Sequence, residues 1–570
     1  MASNIKFIHA VSFLKDRLIL NYQLVALIVL AFLININTLS NDYALDDAVV
    51  LTQNSIVKKG VSGIPEMLTS NYLKGYTTDV NLLSGSRYRP LTLVAFALEY
   101  QFFGEQPFVS HLINLLLYLM LIVLLFKFLR MAMPISQQYL IFITVLIFSI
   151  HPVHTEVIAN VKGRDELLAF ILLLSALIFE FKFLNSTNRW NLFISTTFFF
   201  LSLLTKETSI TFLAVIPMLF YFFLGLSIRK SLIKTFPYLV PLFLYLALRY
   251  WVVGFSHFVV ADVSNSPYIM ATAAQAFATK IFIIVKYIGL LIFPFTLTSE
   301  YGFNQIPYVE LSSFKFIFSS FLLVGLIVVA ILNFNSRSIL GFSIFYFFIT
   351  ISVATNLFFD FGAPLAERML FIPSLSFCLL LAFFANKCKK YNRTIFSIFI
   401  ITLFSFFSFK TVARNAEWKN NETLFITDVK KSPESSRLNL FVCQQYILKA
   451  SLDSIVIERN SFLDSALLYG AKSLKIQPDY SYSYLRMGLA WYYKGNYYKA
   501  ADYWIKAMEL DKQNADGEKW TKDLSNWFNE EGLVYLKNNM RKEALACFNY
   551  ALQLNHSNDN AKFNRNALLK

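Results

Sequence analysis

The sequence predicts an all-α membrane protein, a polytopic transmembrane helical bundle followed by a C-terminal helical-repeat domain. Three observations predict it. Of 570 residues, 56% are hydrophobic, against about 45–50% in soluble domains, and the mean hydropathy is +0.51. Apolar runs of about twenty residues, each long enough to cross a bilayer, recur as far as residue 412. Beyond that point the chain turns polar, with small and aromatic residues spaced as in stacked helix pairs.

The apolar runs begin near Arg17, Val109, Gln137, Glu166, Trp190, Thr211, Leu232, Ala278, Phe314, Leu340, Met369 and Thr394. The first follows Lys6, Lys15 and Arg17 and lacks a small-x-small cleavage pattern, which predicts an uncleaved signal anchor. Basic residues mark cytoplasmic loops, here Lys127/Arg130, Lys182/Arg189, Arg229/Lys230/Lys234, Arg337 and Lys387/Lys389/Lys390/Arg393. With the N-terminus inside, all five stay inside if Ala278–Thr298, which carries Lys280 and Lys286, is re-entrant. That gives about eleven crossings and an outer C-terminal domain. A count of twelve puts the Lys387–Arg393 cluster outside, against the charge rule. The expected domains are 1–412 transmembrane, with large outer loops at 37–108 and 252–312, then a linker at 413–435 and the repeat domain at 436–570. Ala48–Lys59 and Ile64–Leu73 have amphipathic spacing and are expected along the membrane surface.

The net charge of +15 lies largely in short loops between spans, which points to topology and not to a nucleic-acid partner. Cys378, Cys388, Cys443 and Cys547 show neither disulfide nor zinc spacing.

Residues 481–514 fit a tetratricopeptide frame: Tyr484, Met487, Gly488 and Trp491, then Ala500, Trp504 and Ala507. Small residues let the paired helices cross closely, and aromatics fill the gaps between repeats. A second copy has Phe528, Glu531, Gly532 and Tyr535, then Ala544, Phe548 and Ala551, offset by an insertion of about ten residues around Asp516. A degenerate earlier unit, its first helix at Ser436–Ala450, ends in Ala466 to Pro478. Such stacks usually bind peptide segments, so a protein partner is expected.

Polar clusters fall at span ends on the predicted outer side. Adjacent Asp46 and Asp47 follow the first span. Arg89 lies in Tyr88-Arg89-Pro90, His151, His154 and Glu156 in HPVHTE, and Arg164 in GRDE; Lys206-Glu207 and Glu367-Arg368 complete the set. Each has a plain structural alternative. Asp47 could cap the helix beginning at Ala48, the histidines could be hydrogen-bonding anchors, Lys206-Glu207 a self-neutralising turn, and Arg368 a snorkelling anchor. Zinc at His151/His154 is weakened by Pro152 and the lack of a partnering Cys, so no metal ligand is assigned, although a divalent metal is left open. Together, acids and cations at one membrane level suit transfer of a group from a lipid-linked phosphate. A carboxylate would deprotonate the acceptor hydroxyl, and cations would stabilise the phosphate oxygens.

The ordered set of DD, YRPLT, HPVHTE with GRDELL, Lys-Glu before an apolar run, ERMLFIPS and the junction Arg414-Asn415 to Pro433 resembles the transmembrane and tetratricopeptide repeat-containing O-mannosyltransferases. The resemblance covers almost the whole chain and implies a GT-C glycosyltransferase. It implies Asp46 or Asp47 as base, a polyprenyl- or dolichyl-phosphate sugar donor, inversion at the anomeric carbon, and Ser/Thr hydroxyls of exported proteins as acceptors. Mannose is the expected sugar.

Asp46 is the preferred base, with Asp47 capping a helix or orienting the acceptor. Arg89, Lys206 and Arg368 are assigned to the donor phosphate, and His151, His154, Glu156, Arg164, Glu207 and Glu367 to positioning or to the sugar. The expected partners are membrane lipids, the lipid-linked donor and an acceptor protein met through the repeats. The short repeat region favours a bacterial inner membrane with periplasmic repeats over an endoplasmic reticulum membrane with lumenal ones. The competing reading is a non-catalytic membrane-anchored repeat scaffold; a transporter would place its ionisable residues near mid-bilayer.

Overall fold

The computed structural model describes residues 21–76, 87–254, 268–358, 362–512 and 514–570. The basic stretch from Lys6 to Arg17 and the first part of the loop after Gly254 lie outside them. Among the described residues all regular structure is helical. Two compact units form, one of Met1–Tyr301 and Pro307–Leu424, the other of Gly302–Ile306 and Phe425–Lys570.

Among the described residues of the first unit, seven helices are long and apolar enough to cross a membrane. They are α1 (Asn21–Ser40), α3 (Pro107–Ala132), α5 (Arg164–Ser186, preceded by the turn Val161–Gly163), the stretch Ile228–Val253, α10 (Ala273–Ile292), α11 (Phe314–Leu332) and α14 (Arg393–Glu417). The stretch Ile228–Val253 comprises α8 (Ile228–Thr235) and α9 (Leu239–Val253). The other expected spans are shorter or broken. α4 (Gln138–Ile150) meets Pro152, which lacks an N–H, and the chain bends by 51° into the turn that follows. Counting that pair as one span gives eight. α6 (Arg189–Thr205) stops where Lys206 turns extended. α2 (Pro90–Phe103), α7 (Phe212–Phe223), α12 (Ile339–Ile351) and α13 (Ser374–Tyr391) complete the unit. The expected crossings beyond eight correspond to shorter helices and to α13, which has 18 residues but carries Lys387, Lys389 and Lys390 in its last turns. These early stops matter for function, because α2, α5, α6, α7 and α13 each begin or end beside one of the polar clusters.

The expected outer loop 252–312 contains α10, one unbroken helix of spanning length and not a re-entrant pair. In the first outer loop the amphipathic stretches bury their apolar sides in protein. Val50, Leu51, Ile56, Val57, Met67 and Tyr72 pack with Leu93, Phe96 and Ala97 of α2. At roughly 25 cal/mol per Å² of apolar surface, that packing fixes the loop as a layer over the bundle end.

The second unit stacks helices in pairs: α16 (Ser436–Leu452) with α17 (Val456–Ile476), α18 (Ser481–Tyr493) with α19 (Tyr497–Leu510), and α20 (Ala515–Lys537) with α21 (Arg541–Leu554). α15 (Asn421–Lys431) precedes them and α22 (Asp559–Leu569) closes the stack. The insertion expected around Asp516 is not a loop; it adds turns to α20, 23 residues long. The small-residue logic holds at atomic scale. A Cβ on Gly488 would sit 2.3 Å from Trp504, and one on Gly532 2.6 Å from Phe548. Trp504 is also fixed by donating Nε1–H to Leu485 O at 3.0 Å.

Gly488→Val forces a branched side chain into the Trp504 ring. It should destabilise the repeat unit by about 1–3 kcal/mol, measured by denaturant titration of the full-length protein followed through tryptophan fluorescence. Wild-type stability would contradict this packing.

Candidate active site

Asp46 and Asp47 are neighbours in sequence but not in environment. The loop carrying them is tied by three hydrogen bonds to the end of α14, to the turn after it and to the first residue of α15. Asn41 Nδ2 donates to Asn415 O at 3.0 Å, Asp42 N to Lys419 O at 2.7 Å, and Leu45 N to Asn421 Oδ1 at 2.7 Å. Leu45 adopts φ 52°, a left-handed conformation costing a branched residue on the order of 1–2 kcal/mol. That twist sends the two carboxylates in different directions.

Asp47 goes inward and is fully buried. Its Oδ2 accepts from Ala44 N at 2.9 Å, and its Oδ1 accepts from Lys162 N at 2.7 Å. It does not cap the turn beginning at Ala48. Its work is to tie the first outer loop to the turn before α5. Burial pushes its pKa up to about 7, against the pull of the two backbone N–H groups. Asp46 stays at the surface, its side chain 36% exposed and its Oδ2 3.9 Å from Arg368 Nη1.

Arg368 is fixed from behind by Glu156, which accepts from Nη1 at 2.5 Å and from the Arg368 backbone N at 2.8 Å. Burial works against the guanidinium charge, but Glu156 and Asp46 more than offset it and raise the pKa. Arg368 Nε has no hydrogen-bond partner among the described residues.

Beneath this pair lies a buried charge lattice. Arg89, the residue before Pro90 of α2, forms a fork with Glu207 at 2.7 and 2.5 Å and reaches Asp165 at 2.8 Å. Asp165 also faces Lys206 at 3.4 Å and Lys162 at 3.5 Å, while Lys206 pairs with Glu166. Arg164 pairs with Glu99 and donates to Asn114 Oδ1 at 2.8 Å. The turn holding Lys162 is compressed: a Cβ on Gly163 would lie 2.2 Å from Val157 O. Tyr72, buried, lies under Arg89 with its hydroxyl unpartnered among the described residues.

The structure thus brings together Asp46, Asp47, Arg89, Glu156, Arg164, Lys206, Glu207 and Arg368. It separates three other expected residues from that set. His151 bonds Leu291 O at 3.0 Å and His154 bonds Ser374 Oγ at 2.8 Å. Their rings lie against Phe407, Phe377, Phe148 and Phe371. Both imidazoles are core anchors, because aromatic packing and neutral hydrogen bonds account for their burial. The Glu367 carboxylate turns away from Arg368 and accepts from Thr298 N at 2.6 Å and Tyr301 Oη at 2.7 Å; burial raises its pKa to about 8. Sequence reasoning missed Lys162, Asp165, Glu166 and Glu99. GRDE contains two of them, but only burial shows Asp165 to be the hub. Among the described residues no group of three or more His, Cys, Asp or Glu is arranged to hold a metal.

Asp47→Asn places an amide N–H₂ against one of two backbone donors. It should cost about 1–3 kcal/mol, measured as a lower unfolding temperature in detergent, whereas Asp46→Asn should leave that temperature unchanged. A second consequence concerns pH. Glu367 is raised from 4.5 to about 8, so between those values the native state holds a proton that the unfolded chain has released. Its contribution to stability is complete below pH 4.5 and is lost as pH rises toward 8. Glu367→Gln keeps an acceptor oxygen and should flatten that part of the melting temperature–pH curve.

No family model matches the chain. Curated relatives do. The Caenorhabditis elegans protein O-mannosyl-transferase F38B6.6 is 25% identical over 418 residues, covering 73% of this chain and 59% of the relative. Mouse protein O-mannosyl-transferase TMTC3 is 25% identical over 532 residues, 85% of this chain and 55% of the relative. Mouse protein O-mannosyl-transferase TMTC2 is 25% identical over 521 residues, 76% and 61%. The chain spans little more than half the length of these relatives. The resemblance carried by the ordered motifs is borne out by these relatives: over most of its length the chain is similar to proteins named TMTC-type protein O-mannosyl-transferases.

Proposed function

We propose that this multi-pass membrane protein is a GT-C-type glycosyltransferase that moves mannose from a polyprenyl-phosphate donor to Ser or Thr hydroxyls of acceptor proteins. Mannose and the protein acceptor come from the relatives' names; the lipid-linked donor comes from the chemistry of the cluster and its position at the helix ends. The observation that carries the reading is the unequal treatment of the two aspartates. Asp46 keeps a solvent-facing carboxylate beside a held arginine, and Asp47 is committed to the loop.

In the proposed step Asp46 takes the proton of the acceptor hydroxyl. The acceptor oxygen attacks the anomeric carbon from the face opposite the phosphate. The carbon–oxygen bond to the phosphate breaks, and the phosphate leaves with the electron pair. The configuration inverts. Arg368, with its free Nε–H, and Lys162 stabilise the charge that gathers on the leaving phosphate. Arg89, Asp165, Lys206, Glu207 and Glu156 are positioning residues that hold Lys162 and Arg368 in place.

Membranes carrying Asp46→Asn should lose about 10²–10⁴-fold in sugar transfer from a lipid-linked donor to a Ser/Thr peptide, at wild-type protein level and melting temperature. Wild-type transfer by Asp46→Asn would overturn the assignment. An unchanged hexose profile of Ser/Thr peptides on deletion of the protein would favour the scaffold reading.

A further inference from the structure

The face of the bundle opposite the candidate site carries a second set of cations, organised on different lines. α5 runs from the site to Ser186 and α6 returns to it at Lys206; α7 leaves the site after Glu207 and ends on the far face, where α8 begins. Read from sequence, Arg229, Lys230 and Lys234 belong to a loop. In the structure they stand on helix α8, and Ile228–Val253 counts as one helical stretch of 26 residues. At about 1.5 Å per residue that stretch is roughly 39 Å long, against about 30 Å for a hydrocarbon core. Its first two turns therefore extend to the level of the lipid phosphates.

α8 has three faces. Ser231 and Thr235 are buried, small enough to let the helix pack closely against α7. Ile228, Leu232, Ile233 and Phe236 are 53–69% exposed, as suits side chains solvated by acyl chains. Arg229, Lys230 and Lys234 are exposed and make no ion pair among the described residues. The helix is also held rigidly. Tyr238, just past its end, donates to Glu180 Oε2 at 2.8 Å and contacts Ser195 Oγ at 2.5 Å, joining α5 and α6. Arg337, from the turn before α12, donates to Gly225 O at 2.8 Å and Leu226 O at 3.2 Å.

The decisive feature is the missing counter-charge. No Asp or Glu occurs between Glu207 and Asp262, nor between Glu310 and Asp360. The neighbouring turn with Lys182 and Arg189 has only Glu180 nearby in sequence, buried and bonded to Tyr238. At the site every cation named has an acidic partner; on this face, among the described residues, Arg229 and Lys230 have none, and Lys234 has only the buried Glu180, itself bonded to Tyr238.

We propose that α8 is a binding element for anionic phospholipid headgroups: its apolar face sits among acyl chains, and Arg229, Lys230 and Lys234 engage the phosphates and acidic headgroups of the adjoining leaflet. Zwitterionic lipid supplies phosphate without net charge, so the surface selects anionic lipid over it.

The full-length protein is reconstituted into phosphatidylcholine bilayers containing a trace of spin-labelled phosphatidylglycerol or spin-labelled phosphatidylcholine. The motionally restricted fraction gives their relative association constants. Wild type should prefer phosphatidylglycerol several-fold, with the preference falling as salt is raised. The triple variant Arg229→Gln/Lys230→Gln/Lys234→Gln should bring the ratio close to one, and Arg229→Lys/Lys230→Arg/Lys234→Arg should keep it. Melting temperatures in pure phosphatidylcholine report whether each variant is folded. A wild-type ratio of one, or a triple-Gln ratio equal to wild type in a folded protein, overturns the proposal.

Discussion

Asp165 is the residue on which the rest of the site depends. It is fully buried, and an unpaired carboxylate there would cost several kcal/mol. Arg89, Lys162 and Lys206 all face it, from three separate chain segments. Each of those cations would be as costly to bury alone. The lattice is thus stable only when the ends of α2, α5 and α6 meet in one arrangement. Hydrophobic packing between these helices does not impose that, because lipid tails solvate an apolar side chain about as well as a neighbouring helix does.

The lattice also explains how two adjacent aspartates acquire different roles. Lys162 presents its side chain to Asp165 and its backbone N–H to Asp47. Once Asp165 has fixed that turn, Asp47 is drawn onto it and buried, while Asp46, after the left-handed Leu45, stays at the protein surface. Chemistry that needs an accessible base has one carboxylate available, and a rigid loop to aim it.

Much of this was legible in the sequence for identifiable reasons. Helical class, the repeat frame and the placing of polar clusters at helix ends rest on composition and short-range spacing. The repeat glycines were readable because Gly488 and Trp504 belong to one helix pair. What could not be read depends on distant segments. Asp47 looked like a helix cap because its real partner, Lys162 N, lies far along the chain. His151 and His154 looked chemical because the phenylalanines around them come from α4, α13 and α14 and from the turn before α13. Hydropathy located apolar runs but not the stops at Pro152 and Lys206, which shorten the helices and make room for the lattice. GRDE was noticed, yet nothing in four residues ranks Asp165 above Arg164.

The two ends of the bundle treat phosphate chemistry in opposite ways. At the site, cations and carboxylates are nearly matched, so under the proposed function any attraction for a phosphate is local and depends on the orientation of Arg368 and Lys162. On the α8 face the charge is unmatched and exposed, which attracts anions without demanding a single geometry. α5 alone is 23 residues long, about 35 Å, and the exposed cations of α8 are screened by the salt solution on their own face. The far-face cations therefore contribute little to the potential at Asp46. Under the proposed function, selection of the donor falls to the paired groups at the site, and the proposed lipid contacts of α8 can vary without altering it.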